Sequence, residues 1–163
     1  WELHHPIEMQ NYLWDLLIGA GEKHGLKLVG ARAQNWLRQE KSYRAFGTEL
    51  GRDATPLEGG LDRFVDLEKD FFGKDRMLAT GLRAKCVTVL IDGPEDADPW
   101  GREALYSDGR RVGRLTSGGY SVAFGKSIGM GYLPPDLAAF LRDRASVEVP
   151  GGGYRLVDVS PPD

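Results

Sequence analysis

From Gly81 onward the sequence breaks into short strand-forming stretches separated by closely spaced turn signals, and this pattern constrains the fold more than anything else in the 163 residues. Cys86-Val87-Thr88-Val89-Leu90-Ile91 is an apolar, β-branched run of the buried-strand type. After an acidic, proline-bearing loop from Gly93 to Trp100, Asp108-Gly109 separates two strand candidates. That dipeptide is a strong hairpin signal, because both central residues of the favoured two-residue turn need positive φ. The pattern further predicts strands over Val112 to Ser117 and Lys126 to Tyr132 around a Gly118-Gly119 turn. A short helix is expected from Pro134-Pro135-Asp136 through Phe140. A last hairpin is expected from Val147 to Val149 and Tyr154 to Val159, about Pro150-Gly151-Gly152-Gly153. Five or six short strands at this spacing suit a small antiparallel barrel.

The first half has a different texture. Trp1 to His4 reads as the tail of a strand. Pro6 and Glu8 then open a helix whose stripe is Met9, Leu13, Leu16, Leu17 and Ala20, with Gly21 and Gly25 as stop signals. Gly25 to Gly30 reads as a short strand. A second helix is predicted over about Ala31 to Ala45, where Glu40 and Arg44 stand four apart in the favourable order. Glu49 to Pro56 is a loop, Leu61 to Leu67 a strand and Lys74 to Thr80 a short helix. The expected class is therefore α+β: an α/β layer fragment over residues 1–80, then a small antiparallel β-barrel over residues 81–163, with the seam near residues 80 to 84. Trp1 is no initiator methionine and no signal peptide precedes it, so the chain reads as part of something longer.

Composition removes several classes. Apolar residues are 41% and charged residues 28%, which argues against disorder, and no apolar run approaches a membrane span. A net charge of −3 gives no bulk attraction to nucleic acid or anionic lipid. Cys86 is the single cysteine, so there is neither a disulfide framework nor a cysteine zinc site, and a reducing, cytoplasmic-type compartment fits. Gly125-Lys126-Ser127 lacks the earlier glycine of a phosphate loop, since Tyr120 stands there. Gly129-Met130-Gly131 has Pro134 where a dinucleotide fingerprint needs glycine. His4 and His5 would face opposite sides of a strand and make no metal site. No Gly-x-Ser-x-Gly elbow is present, and no catalytic residue is assigned on this chain.

Four blocks carry positive information, in this order: Arg38-Gln39-Glu40-Lys41, Thr55-Pro56-Leu57-Glu58-Gly59-Gly60-Leu61, Phe71-Phe72-Gly73-Lys74, and Val112-Gly113-Arg114-Leu115-Thr116-Ser117-Gly118. Together they resemble the tetrahydrofolate-dependent aminomethyltransferase family, the glycine cleavage T-protein family. The pattern is closest to the folate-binding region of dimethylglycine and sarcosine dehydrogenases, given Arg32-Ala33 before Glu40 and the run Glu40-Lys41-Ser42-Tyr43-Arg44.

The resemblance implies a C-terminal part of a folate-dependent one-carbon transfer enzyme that forms 5,10-methylenetetrahydrofolate. Its cofactor would be tetrahydrofolate. Any FAD would sit in another domain of the parent, and the family's essential aspartate lies upstream. Trp1-Glu2 matches the aromatic-glutamate pair that holds the pterin edge, so Glu2 is expected to accept two hydrogen bonds from it. Arg32 stands in for the family's folate-contacting arginine, whose usual position holds Gln34, and Tyr43 matches an aromatic that borders the folate. Implied partners are folate, a small methylated amine and the N-terminal remainder of the parent or a partner chain. In a eukaryote the compartment would be the mitochondrial matrix. The alternative is a non-catalytic folate-binding or structural module of the same descent. Read as residues alone, Glu40, Lys41 and Arg44 are expected to form a structural ion network rather than to act as catalytic groups. Thr116, Ser117, Gly118 and Gly119 are expected to shape a barrel turn.

Overall fold

Lys85–Asp92, the apolar run singled out above, is the first strand (β1) of a six-stranded antiparallel barrel in the computed structural model, which describes residues 1–93, 98–139, 146–149 and 152–158. The others are β2 (Ala104–Ser107), β3 (Arg110–Ser121), β4 (Lys126–Leu133), β5 (Ser146–Val149) and β6 (Gly152–Asp158). Their order around the barrel is β1-β4-β3-β2-β5-β6, and β6 closes on β1. Asp108 and Gly109 take φ of 50° and 73°, the two left-handed residues that the β2–β3 hairpin needs. Val89, Ile91, Leu105, Leu115 and Leu133 fill the barrel, each at most 1% exposed. The α+β class expected from the sequence is thus present: helices followed by a closed barrel.

Contacts divide the chain into two units, Trp1–Ala31 and Arg32–Asp163. The first holds a 3-10 turn at Ile7–Met9, helix α1 (Gln10–Gly21) and a second 3-10 turn at Glu22–His24. No residue of α1 is buried, and Tyr12, Trp14, Leu16 and Leu17 are exposed. The second unit opens with helix α2 (Ala31–Glu40), crosses a long loop with a 3-10 turn at Asp62–Phe64, and reaches helix α3 (Lys74–Thr80) before the barrel. A short helix α4 (Pro135–Ala138) follows β4.

Several local expectations need correction. Trp1 to His4 and Gly25 to Gly30 form no strand, and Leu61 to Leu67 holds the Asp62–Phe64 turn instead. A strand needs a hydrogen-bonded neighbour, and among the described residues none pairs with these segments. Helix α2 stops at Glu40 rather than Ala45, because Ser42 turns left-handed (φ 55°). The Ser42 amide then reaches the Gln39 carbonyl at 2.9 Å and the Tyr43 amide the Arg38 carbonyl at 2.8 Å, which closes the helix end. Arg44 is therefore off the helix, and the expected Glu40–Arg44 pairing does not arise. Gly118 and Gly119 lie inside β3, and the turn falls at residues 122–125. Phe140, Pro150, Gly151, Val159 and residues 94–97 of the acidic loop lie outside the described residues.

Candidate functional site

Two of the blocks, those of Arg38 and of Thr116-Ser117, converge in the second unit on the carboxylate of Glu49, whose side chain is fully buried. Its Oε1 accepts from Thr116 Oγ1 at 2.7 Å and Ser117 Oγ at 2.5 Å. Its Oε2 accepts from Arg38 Nη1 at 2.8 Å, the Ala45 amide at 3.0 Å and Thr48 Oγ1 at 2.8 Å. Adjacent strand residues normally face opposite sides. Here the β3–β4 register shifts between Leu115 and Ser117, leaving Thr116 as an extra residue, and this bulge aims both hydroxyls at one oxygen. Burial by itself would raise the Glu49 carboxyl. The hydrogen bonds from Ser117, the Ala45 amide, Thr116 and Thr48 outweigh it and hold the group below the ordinary carboxylate value.

The rest of α2 lies along the same strand. Arg38 Nη2 donates to Ser117 Oγ at 2.6 Å, and Gln39 Nε2 donates to the Gly118 carbonyl at 3.2 Å. Glu40 Oε1 accepts from Ser121 Oγ at 2.6 Å and the Ala123 amide at 3.2 Å. The Trp36 ring rests on Gly119, where a Cβ would come within 2.1 Å of it. The Arg-x-Glu block and the Thr-Ser-Gly block are therefore two halves of one contact. Glu40 serves as a hydrogen-bond acceptor for the β3 end rather than as a member of the expected ion network, and Thr116 and Ser117 dock the helix rather than shape a turn.

The Thr55-Pro56-Leu57-Glu58 block works the same way. The Thr55 amide donates to Glu58 Oε2 at 2.7 Å and the Glu58 amide donates back to Thr55 Oγ1 at 3.2 Å, a reciprocal capping pair. Arg83 forks onto both Glu58 oxygens at 2.8 and 2.9 Å. That guanidinium, with the Thr55 and Arg83 amides, overrides burial and brings the Glu58 carboxyl down to about 2. The Glu58 carbonyl also accepts the Cys86 amide at 2.8 Å, tying the loop to β1. Glu49 and Glu58 were not singled out from sequence as central. The signal available was a glutamate three residues after a threonine for Glu58, and nothing local for Glu49.

Glu2 lies in the first unit, exposed, with His4 Nε2 at 3.4 Å from its carboxylate. Arg32 and Tyr43 lie in the second unit at opposite ends of α2, roughly 15 Å apart along its axis, so the helix does not bring them to one point. Arg32 Nη2 sits 2.7 Å from Asp98 Oδ2, and its guanidinium lies over the rings of Trp36 and Trp100 at 5.3 and 4.9 Å. Tyr43 is 62% exposed, on the wall of a cleft of about 710 Å³. A second cleft, about 410 Å³, lies over Glu49, Glu58, Arg83, Arg114 and Tyr132. Cys86 is buried and its thiol is pushed up to about 11, chiefly by desolvation, so it is no nucleophile near neutral pH. Among the described residues no group of three or more His, Cys, Asp or Glu side chains could hold a metal, and no helix is long and apolar enough to cross a membrane.

An antiparallel barrel welded by a buried Arg–Glu pair and a strand bulge to a preceding helix and capped loop defines a class: a barrel domain that is completed by the segment before it. Residues 1–69 match the family model of the GCVT N-terminal domain, and residues 85–162 match that of the glycine cleavage T-protein C-terminal barrel domain. The chain belongs to the glycine cleavage T-protein family. It is 38% identical to mitochondrial dimethylglycine dehydrogenase of Homo sapiens over 99% of its own length and 19% of that protein. It is 35% identical to an aminomethyltransferase of Desulfitobacterium hafniense over 84% of its length and 38% of that protein. In fold it matches a glycine cleavage system aminomethyltransferase T from Bartonella henselae with a TM-score of 0.76 at 24% identity, over 95% of this chain and 44% of that one. The chain thus spans about a fifth of the dehydrogenase and under half of either aminomethyltransferase.

Proposed function

We propose that this chain is the C-terminal part of a folate-dependent one-carbon transfer enzyme, of dimethylglycine dehydrogenase or aminomethyltransferase type, and helps bind tetrahydrofolate as 5,10-methylenetetrahydrofolate forms. The observation that carries the reading is the family likeness running through both the helical segment and the barrel, with residues of the Arg38, Thr55 and Thr116 blocks engaged in holding helix, loop and barrel together. In this reading residues 1–80 are the end of the folate-binding domain and residues 81–163 its barrel domain. The parent takes a small methylated amine, and in a eukaryote it works in the mitochondrial matrix. The short share of each relative that the chain spans supports a larger parent.

The chemistry asked of this chain is positioning. Glu2 presents an exposed carboxylate beside His4 and would accept two donors from the pterin edge. Tyr43 would border the folate with its exposed ring. Arg32, already flanked by two tryptophans, would exchange Asp98 for a folate carboxylate. Folate nitrogens are themselves the nucleophiles, so placement and electrostatic support are what the protein contributes.

The test is a calorimetric titration of tetrahydrofolate into the intact protein and its Glu2→Gln variant. Gln keeps the shape but turns one acceptor into a donor facing a donor, and the affinity should fall by roughly 2–4 kcal/mol, about 30- to 1000-fold. Unchanged affinity would remove Glu2 from the site. Absence of binding in the wild-type protein would sink the folate reading itself.

A further inference from the structure

The 710 Å³ cleft in the second unit has a character opposite to the paired carboxylates beside it. Its walls are residues 41–44, residues 60–64 and the start of β1. Four cationic side chains line it, Lys41, Arg44, Arg63 and Lys85, against a single carboxylate, Asp62. Three buried polar atoms on its lining have no hydrogen-bond partner among the described residues: Ser42 Oγ, Arg44 Nε and Thr88 Oγ1. Ser42 is 6% exposed and Thr88 4%, so solvent does not compensate them.

These three atoms share one chemistry. Arginine Nε–H can only donate, and both hydroxyls can donate, so a group accepting from all three satisfies the whole set. Arg44 sharpens the point. Its Nη1 goes to the Ser42 carbonyl and its Nη2 to the Cys86 carbonyl at 3.4 Å, and no carboxylate pairs with it among the described residues. Arg38 and Arg83, in the same unit, each have a glutamate. A neutral water would fill the hydroxyls and leave the guanidinium charge uncompensated. Ser42 adds to this: it occupies the left-handed helix-end position that glycine fills most easily, yet carries a buried hydroxyl. The volume suits a small organic molecule rather than a bare ion.

We propose that this cleft is an oxyanion site. A carboxylate or phosphate group of a small ligand takes hydrogen bonds from Ser42, Thr88 and Arg44, while Lys41, Arg63 and Lys85 supply the attracting field at the rim. The site stands independently of the folate reading: Tyr43 lies on its wall, but none of the groups that bind the anion has a part in holding the pterin.

The experiment is calorimetric titration of the intact protein with inorganic phosphate and, separately, with glutarate. At least one should bind saturably at millimolar concentration, more weakly as sodium chloride is raised. Ser42→Gly with Thr88→Val removes both hydroxyls without adding bulk, and should weaken binding by about tenfold or more while leaving the melting temperature equal or higher. Lys85→Met, at an exposed position, should also weaken binding, whereas Arg110→Gln, outside the cleft, and Glu2→Gln should not. Binding of phosphate alone assigns a phosphorylated ligand, and binding of glutarate alone assigns a carboxylate. If neither anion titrates, or if the double variant and Lys85→Met bind as well as the wild type, the site does not exist.

Discussion

Replacing Glu49 by glutamine isolates the weld between helix and barrel. The side chain keeps its size, so packing is preserved, but five donors now converge on a group with one acceptor oxygen. The amide nitrogen cannot face Arg38 and the Ala45 amide, because neither can accept. It must turn toward Thr116 and Ser117, whose hydroxyls then have to rotate. Arg38 meanwhile loses its counter-charge while its side chain stays 15% exposed. Breaking a buried pair by removing one partner costs about 3–5 kcal/mol, and retained neutral hydrogen bonds put this case near the lower end, ~3 kcal/mol. At ~2–4 °C per kcal/mol for a domain of this size, the melting temperature should drop by roughly 6–12 °C. Thermal denaturation followed by far-UV circular dichroism reads it. The double variant Arg38→Met, Glu49→Leu should lie closer to wild type than Glu49→Gln, since no buried charge is then stranded. A melting temperature within about two degrees of wild type for Glu49→Gln would refute the reasoning.

Three further outcomes are expected. Glu58, held down at about 2 against an ordinary 4.5, contributes stability that is full above pH 4.5 and lost as the pH falls toward 2. After discounting for the solvent around the half-exposed Arg83, that contribution is on the order of 2 kcal/mol. In urea titrations the gap between wild type and Glu58→Gln should therefore close with acid, and a constant gap from neutral pH to pH 3 would count against it. Gly119→Ala places a methyl 2.1 Å from the Trp36 ring and should cost about 2–4 kcal/mol, much of it recovered when Trp36→Ala is added. Failure of the second change to restore anything would show that the contact is not the cause. Cys86, 2% exposed with its thiol at about 11, should react with iodoacetamide at neutral pH only when the chain is unfolded, as mass spectrometry would show.

The barrel was legible because its signals are local. Asp108-Gly109 fixes a hairpin through backbone preference alone, and the Cys86 to Ile91 run is long enough to exclude a surface position. The N-terminal strand expectations fail for a related reason: Trp1 to His4 and Gly25 to Gly30 have strand composition but no hydrogen-bonding neighbour among the described residues, and pairing is a non-local property. Ser42 hid the end of α2, since serine gives no hint of a left-handed residue where glycine would have. Glu49 could not be recognised, because its five donors come from α2, its own loop and a bulge in β3. The family resemblance was readable from the ordered blocks. Why those blocks travel together became visible only when Arg38, Gln39 and Glu40 were found lying against Ser117, Gly118 and Ser121.

The bulge at Thr116 also sets a timetable for the growing chain. Glu49 is synthesised 67 residues before the threonine that it binds, a delay of roughly 3–13 s at typical ribosomal rates of ~5–20 residues per second. Until β3 emerges, the Glu49 carboxylate has only Arg38, Thr48 and the Ala45 amide on its own side of the contact. Those three partners are local in sequence, within 11 residues of Glu49. The barrel strand made later brings two hydroxyls and a glycine flat enough for Trp36, so the non-local half of the contact is supplied by β3 alone.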